Sequence, residues 1–488
     1  MPVLRRLSRT AASGAIDASG AIRALATLAA LVCGLLLQAC ASGGARPASP
    51  ASPGSPVGRG GGTFVLLSDL HFNPFYDPSL VSELVRADAA DWRRLFERST
   101  VTSLGAYGAD TPYPLLASTL KAAAGEAPDP DFVLLTGDFL AHGFSEQFAQ
   151  QVPGAGSGAY QQFVAKTMAF VTAMIRGAFP RAPIVPALGN NDSDCGDYEL
   201  QPGGPFLAGL AKLWEPLLGR ASGSFAQTFP RGGFYSMPHP TVPNLALVVL
   251  NTDFFSSSYK DTCAQGVNLA AEELTWLEQT LETASRSGQP VWLMSHIPPG
   301  IDTYGTLQKG PCPLTPVSLW SADSLARFSQ ILARFPGLVK VSFAAHTHRD
   351  EIRLPPGGGY LHVAPAVSPV YYDNPAFAVF SYARANGDVA DFKTWELDLD
   401  PKRSGGAKWA LEYDFRQAYG QPAVDPSTLR EVLRGIHDDP AVRERYLTLY
   451  PVSAGQPDLP HWLAYWCAAR VFTPEDFTAC YCAGATSP

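Results

Sequence analysis

A chain of 488 residues with 46% hydrophobic and 16% charged side chains can bury a sizeable core, which excludes the disordered and fibrous classes. A formal net charge of −8 recommends neither a nucleic-acid polymer nor an anionic membrane surface as partner. An acidic protein acting on a phosphate compound needs positive charge from elsewhere, and bound metal ions can supply it.

The first segment reads as an export leader. Arg5, Arg6, Arg9 and Arg23 precede an apolar run over residues 24–37, too short to span a bilayer and suited to a signal h-region. It ends in Leu37-Gln38-Ala39-Cys40, which resembles the lipobox of bacterial lipoproteins. That resemblance implies a signal segment over residues 1–40, a lipid anchor on Cys40 and, with Ala41 next, sorting to the outer membrane. The alternative is an ordinary secretory leader cut after Ala41 or Ser42, giving a periplasmic protein. Apart from Cys33 and Cys40, the cysteines are Cys195, Cys263, Cys312, Cys467, Cys480 and Cys482. In an exported chain these read as up to three disulfides whose pairing the sequence leaves open. A zinc knuckle on Cys467, Cys480 and Cys482 competes, but their spacing fits no usual zinc pattern.

Residues 41–62 are almost entirely small residues, Pro and Gly, the composition of a disordered tether. Ordered structure is expected from Thr63. Six apolar runs then end in polar residues: TFVLLSD, DFVLLTGD, APIVPALGNND, LALVVLNTD, VWLMSH and VKVSFAAHTH. Their length and their Val, Leu and Phe content predict buried strands. Helices are predicted between them at 114–126, 159–178, 206–217, 270–286 and 319–334. Strands alternating with helices indicate a layered α/β fold. A boundary near residues 401–406 separates a domain over 63–400 from a small helical, aromatic and Cys-containing extension over 401–488, expected to pack on it.

The residues with chemistry stand at strand ends, where open α/β sheets bind ligands. In order they are Asp69-Leu70-His71, Gly137-Asp138, Gly189-Asn190-Asn191-Asp192, His296 and His346-Thr347-His348. Imidazole and carboxylate together suit Zn, Fe or Mn, and a shared carboxylate such as Asp138 can bridge two cations about 3.5–4 Å apart. Any one piece is weak evidence; five in order after predicted strands are strong.

This order resembles the motif set of the calcineurin-like metallophosphoesterases: D-x-H, G-D, G-N-H-D/E, H and G-H-x-H. The resemblance implies a layered β-sandwich flanked by helices and a catalytic site with two divalent ions, Zn before Fe or Mn. It further implies that Asp69, His71, Asp138 and His348 hold one ion and that Asp138, Asn190, His296 and His346 hold the other. A hydroxide between the ions then attacks phosphorus. Local stretches are similar to the saposin-free, acid sphingomyelinase-like phosphodiesterase branch: SDLHFNPFYD at 68–77, TGDFLAHG at 136–143, SHIPPG at 295–300, AHTHRDEIRL at 345–354 and VSPVYYDNPAFAVF at 367–380. In that branch the position of His142 is a proton donor, those of Tyr371, Tyr372 and Asn374 line the rim, and those of Cys263 and Cys312 carry a disulfide beside the metal-ligand loop.

Two residues depart from the motifs. Ala345 replaces the glycine before His346, acceptable unless positive φ is needed there. Asn191 replaces a histidine; an amide can donate to a phosphoryl oxygen but cannot deliver a proton. The expected function is hydrolysis of a phosphodiester, from a small-molecule nucleotide or a lipid head group. Polyphosphate or nucleotide anhydrides, whose leaving group needs little protonation, are the alternative, although no Lys/Arg cluster lies near the motifs and Arg349 and Arg353 are the nearest cations. A phosphate-binding lipoprotein that has lost catalysis through Asn191 is a third reading.

Overall fold

The computed structural model describes residues 60–219, 222–400 and 407–485. The expected leader with Cys40, and the linker as far as residue 59, lie outside the described residues. Gly61 and Gly62, assigned above to the tether, belong to the first strand and pair with Ala383 and Tyr382.

In chain order the first strands are β1 (Gly61–Leu67), β2 (Phe132–Leu135), β3 (Ile184–Pro186), β4 (Tyr235–Pro238), β5 (Ala246–Val249), β6 (Val291–Met294), β7 (Ile301–Asp302) and β8 (Val317–Ser318). They are followed by β9 (Val339–Ala344), β10 (Glu351–Arg353), β11 (Tyr360–Val363), β12 (Ala376–Ala383), β13 (Val389–Leu397) and β14 (Trp409–Asp414). One sheet has the order β14-β13-β12-β1-β2-β3 and the other β10-β11-β9-β6-β5-β4. In the first, β1, β2 and β3 are parallel while β12, β13 and β14 join antiparallel. In the second, β5, β6, β9 and β11 are parallel, with antiparallel strands at both edges. All six predicted strands are present, buried throughout or nearly so.

The sheets meet face to face around Phe64. Its ring stacks between Phe132 and Phe380, each 4.8 Å away, and meets Trp292 and Phe343 of the other sheet at 5.5 and 5.6 Å. Phe64→Ala should therefore open a cavity at the centre of the sandwich and cost about 3–5 kcal/mol, read from the urea unfolding midpoint.

The predicted helices occur as Tyr113–Glu126, Ser157–Ala178, Pro205–Trp214, Ala270–Arg286 and Ala322–Arg334. The last starts three residues late because the Ser321 hydroxyl caps it, accepting from the Ser324 N–H. The segment beyond 401 is not helical throughout: it opens with β14, which extends the first sheet, before helices at Pro426–Asp438, Pro440–Leu449, Trp462–Ala468 and Pro474–Ala485.

The six cysteines form Cys195–Cys263, Cys312–Cys482 and Cys467–Cys480, with Cα separations of 6.0, 5.7 and 6.0 Å. Cys263 and Cys312 are thus not partners. Each finds a nearer sulfur, on the loop after Asn191 and on the last helix respectively, and no thiolates remain for a zinc knuckle. Among the described residues, no helix is long and apolar enough to cross a membrane.

Candidate metal centre

Strand ends of both sheets deliver the motif residues to one place. Asp69 and His71 follow β1, Asp138 follows β2, Asn190 and Asn191 follow β3, His296 follows β6, and His346 and His348 follow β9. The chain turns sharply at each end: Asp69, His71, Asp138, His346 and His348 have φ of 47°, 39°, 56°, 75° and 62°. Left-handed backbone at non-glycine residues costs on the order of 1 kcal/mol each, and surroundings must enforce it. They do so by hydrogen bonds between strand ends: the Asp69 N–H donates to the Gly137 carbonyl at 3.1 Å and the His71 N–H to the Asp138 carbonyl at 2.9 Å. Positive φ falls on His346, not on Ala345, so the missing motif glycine costs nothing. Gly189 has no such freedom, since a Cβ there would lie 2.1 Å from Asp138 Oδ1.

At the centre, acceptors point at acceptors. His71 Nδ1 donates to the Leu140 carbonyl at 2.9 Å, which leaves Nε2 with its lone pair. That Nε2 faces His348 Nε2 at 3.1 Å and Asp138 Oδ2 at 3.3 Å. Likewise His296 Nδ1 donates to the Thr136 carbonyl at 2.8 Å, and its Nε2 faces Asn190 Oδ1 at 3.1 Å and Asp138 Oδ2 at 3.2 Å. The buried Asp69 Oδ2 has no hydrogen-bond partner. Three clusters have ligand atoms within 4.8 Å of one another: Asp69, His71 and Asp138; Asp138, His296 and His346; and His71, His142 and His348. Metal ions or protons resolve such a convergence of lone pairs, and the N and O donors could hold divalent ions of the Zn type.

The charge balance agrees. Burial lowers His71 to about 4 and His346 to about 3, so both are neutral and able to coordinate. His296 moves the other way: burial opposes protonation, but the Asp138 carboxylate raises it to about 9. Asp138 is held well below the usual carboxylate range, because His296 and His71 outweigh the effect of burial. A proton on His296 thus does part of what a metal would do.

A family model described as calcineurin-like phosphoesterase matches residues 62–350. The chain belongs to that family. This phosphoesterase is 28% identical over 463 residues to acid sphingomyelinase-like phosphodiesterase 3b of Homo sapiens, covering 88% of the chain and 91% of the human protein. It is 27% identical over 383 residues to a cyclic GMP-AMP phosphodiesterase of Rattus norvegicus, covering 75% and 79% respectively. A dimetal phosphatase structure from Danio rerio is similar at 14% identity and a TM-score of 0.35, over 68% of the chain and 94% of that structure.

Around the candidate metal centre of this phosphoesterase, His142 stacks on His71 with ring centroids 4.0 Å apart. Its Nδ1 is held by Asp110 Oδ1 at 3.0 Å, while Nε2 faces the Tyr371 hydroxyl at 3.4 Å. Burial works against protonation of His142, but Asp110 outweighs it and raises its pKa. Asn191 is turned to the protein: its N–H and Nδ2 donate to Asp138 at 2.8 and 3.0 Å. Tyr371 and Tyr372 stand exposed at the rim of a cavity of about 410 Å³ that reaches His346. Asn374 does not join them. It is buried and bonded to Tyr107, Glu396 and the Val452 carbonyl.

Two positioning residues, Asp110 and Tyr198, escaped the sequence reading, and a third, Asp192, was named there only as part of its motif. Asp192 accepts backbone N–H groups from Asp138, Phe139, Leu140 and Gly189. It occupies the acidic place of the G-N-H-D/E motif, which was the available signal. Asp110, behind His142, and Tyr198, whose hydroxyl lies 3.3 Å from His346 Nε2, have no local signature.

Proposed function

We propose that the chain is an exported dimetal phosphodiesterase hydrolysing a phospholipid head group or a nucleotide, with Asp69, His71, Asp138, Asn190, His296, His346 and His348 as metal ligands. The observation that carries this is the ring of lone pairs converging on Asp138 Oδ2. Two divalent ions, Zn before Fe or Mn, would acidify a water and neutralise charge on the phosphoryl oxygens. His142 would protonate the leaving oxygen, its Nδ1 anchored on Asp110 and its Nε2 turned to the open side. Asn191 would hold Asp138 in place rather than touch substrate. Three disulfides and the leader support export, with the anchor on Cys40 setting the destination.

A long polyanion is the weaker substrate. Arg349, which lines the cavity, is ion-paired to Asp373, and Arg353 is buried against Glu351. The test is a panel of bis-p-nitrophenyl phosphate, sphingomyelin, ATP and polyphosphate on metal-reconstituted protein, wild type and Asn191→His. Diester hydrolysis should be abolished by chelator and restored by metal. Asn191→His, which removes the Nδ2 bond to Asp138, should lower turnover of diesters and anhydrides alike by about tenfold. A gain confined to diesters would show instead that residue 191 reaches the leaving group. Bound metal with no turnover of any substrate would favour the phosphate-binding reading.

A further inference from the structure

Residues 300–319, here called the lid, supply Asp302, Thr303, Tyr304 and Leu319 to the wall of the cavity. The Gly300 carbonyl accepts from the Leu319 N–H at 2.9 Å, and the β7–β8 ladder pairs Ile301 with Ser318 and Asp302 with Val317. Between those strands the short helix Thr303–Leu307 presents Tyr304. The lid has its own apolar footing, apart from the sandwich core. Ile301 and Leu314 pack with Ala464, Cys467, Ala468 and Phe477 of the C-terminal helices, and Cys312–Cys482 fastens the two together.

Tyr304 is 65% exposed, and Tyr371 and Tyr372, which line the same cavity, are 46% and 69% exposed. Large side chains left in water around one concavity mark a ligand surface. The inner walls add Tyr198, Tyr450 and Tyr465, and among the described residues Leu319 is the one aliphatic lining residue. The charged groups are already engaged: Arg349 with Asp373, Glu351 with Arg353, and Asp302 with the Gly305 N–H. A hydrocarbon chain would be better served by aliphatic walls. A quaternary ammonium would also be held by aromatic faces, without using the hydroxyls at their edges, and phosphocholine is therefore the competing probe. Aromatic faces edged with hydroxyls suit a flat ring with polar edges.

We propose that Tyr304 is a specificity-determining residue, stacking a planar heterocyclic ring carried by the phosphate substrate and held in position by the C-terminal helices through Cys312–Cys482. This rests on the phosphodiesterase reading and narrows its substrate to the nucleotide class.

The test is calorimetric titration of the full-length, metal-loaded protein with adenosine 5′-monophosphate, phosphocholine and methyl phosphate. All three carry the same phosphate. The adenosine compound should bind at least about tenfold more tightly than methyl phosphate. Tyr304→Ala should erase that margin and Tyr304→Phe should keep it. The double variant Cys312→Ser, Cys482→Ser should reduce it, with methyl phosphate binding unchanged in all. A margin for phosphocholine instead, or one that survives Tyr304→Ala, overturns the proposal. Tyr304 is exposed, so its variants test the idea even if the cysteine variant does not fold. Hydrolysis of bis-p-nitrophenyl phosphate in the same samples separates the two readings. Ring-dependent binding without hydrolysis sinks the proposed activity alone, and hydrolysis without a ring-dependent margin sinks the role of Tyr304 alone.

Discussion

Asp138→Asn is expected to leave the fold intact, strip the protein of bound metal and lower kcat/KM on bis-p-nitrophenyl phosphate by at least on the order of a thousandfold. Asp138 Oδ2 is the atom on which both halves of the centre converge, 3.3 Å from His71 Nε2 and 3.2 Å from His296 Nε2. An amide carries no charge to bridge two cations. Its NH₂ would also face one of the two Asn191 donors that the carboxylate accepts from, and the pairing of the carboxylate with His296 would be lost. The metal-free variant should therefore melt somewhat below the metal-free parent while still unfolding cooperatively. Metal analysis, initial rates and thermal melts on matched samples decide it. Undiminished metal content and rate would show that Asp138 is no ligand.

Asp192→Ala is expected to be the most destabilising change near the site, costing about 4 kcal/mol or more. The carboxylate is buried, and accepts from Phe139 N at 2.7 Å, Asp138 N and Gly189 N at 2.9 Å, and Leu140 N at 3.2 Å. Truncation orphans four buried N–H groups and frees Asp138 from its left-handed turn. Urea unfolding of metal-free protein isolates this cost from any loss of metal. Asp192→Asn should recover part of it, because the amide oxygen still accepts. An unchanged midpoint in the alanine variant would mean that water or a shifted backbone satisfies those groups.

The strands that carry the centre were legible because they are parallel and buried on both faces, so each reads as an unbroken apolar run ending at a polar residue. Strands β12 and β13 were not read as strands. They alternate between buried and half-exposed positions and lack that plain signature. The ligand order was visible in the chain, but the turns were not. Nothing local tells an Asp or His to adopt positive φ, which is imposed at Asp69 and His71 by carbonyls of the segment after β2. The hydrogen bonds from Asn191 to Asp138 were not legible, because that distance is a property of the assembled centre. Cysteine pairing and the lid with Tyr304 depend on where the last helix lies, which no short window of sequence contains.

The position of β1 between β2 and β12 also fixes when the centre can come into being. Phe64 pairs with Phe132 on one side and with Phe380 on the other, so the sheet stays open until most of the chain is available. The segment just before β12 locks the first turn as well: Val367 N–H donates to the Ser68 carbonyl at 3.1 Å and Ser368 N–H to the Asp69 carbonyl at 3.0 Å. A growing chain therefore holds its carboxylates and imidazoles apart, and high affinity for an ion arrives only with the last part of the sandwich. On the proposed reading, in which the chain is exported before it folds, the ion pool of the destination and not that of the cytosol selects the metal.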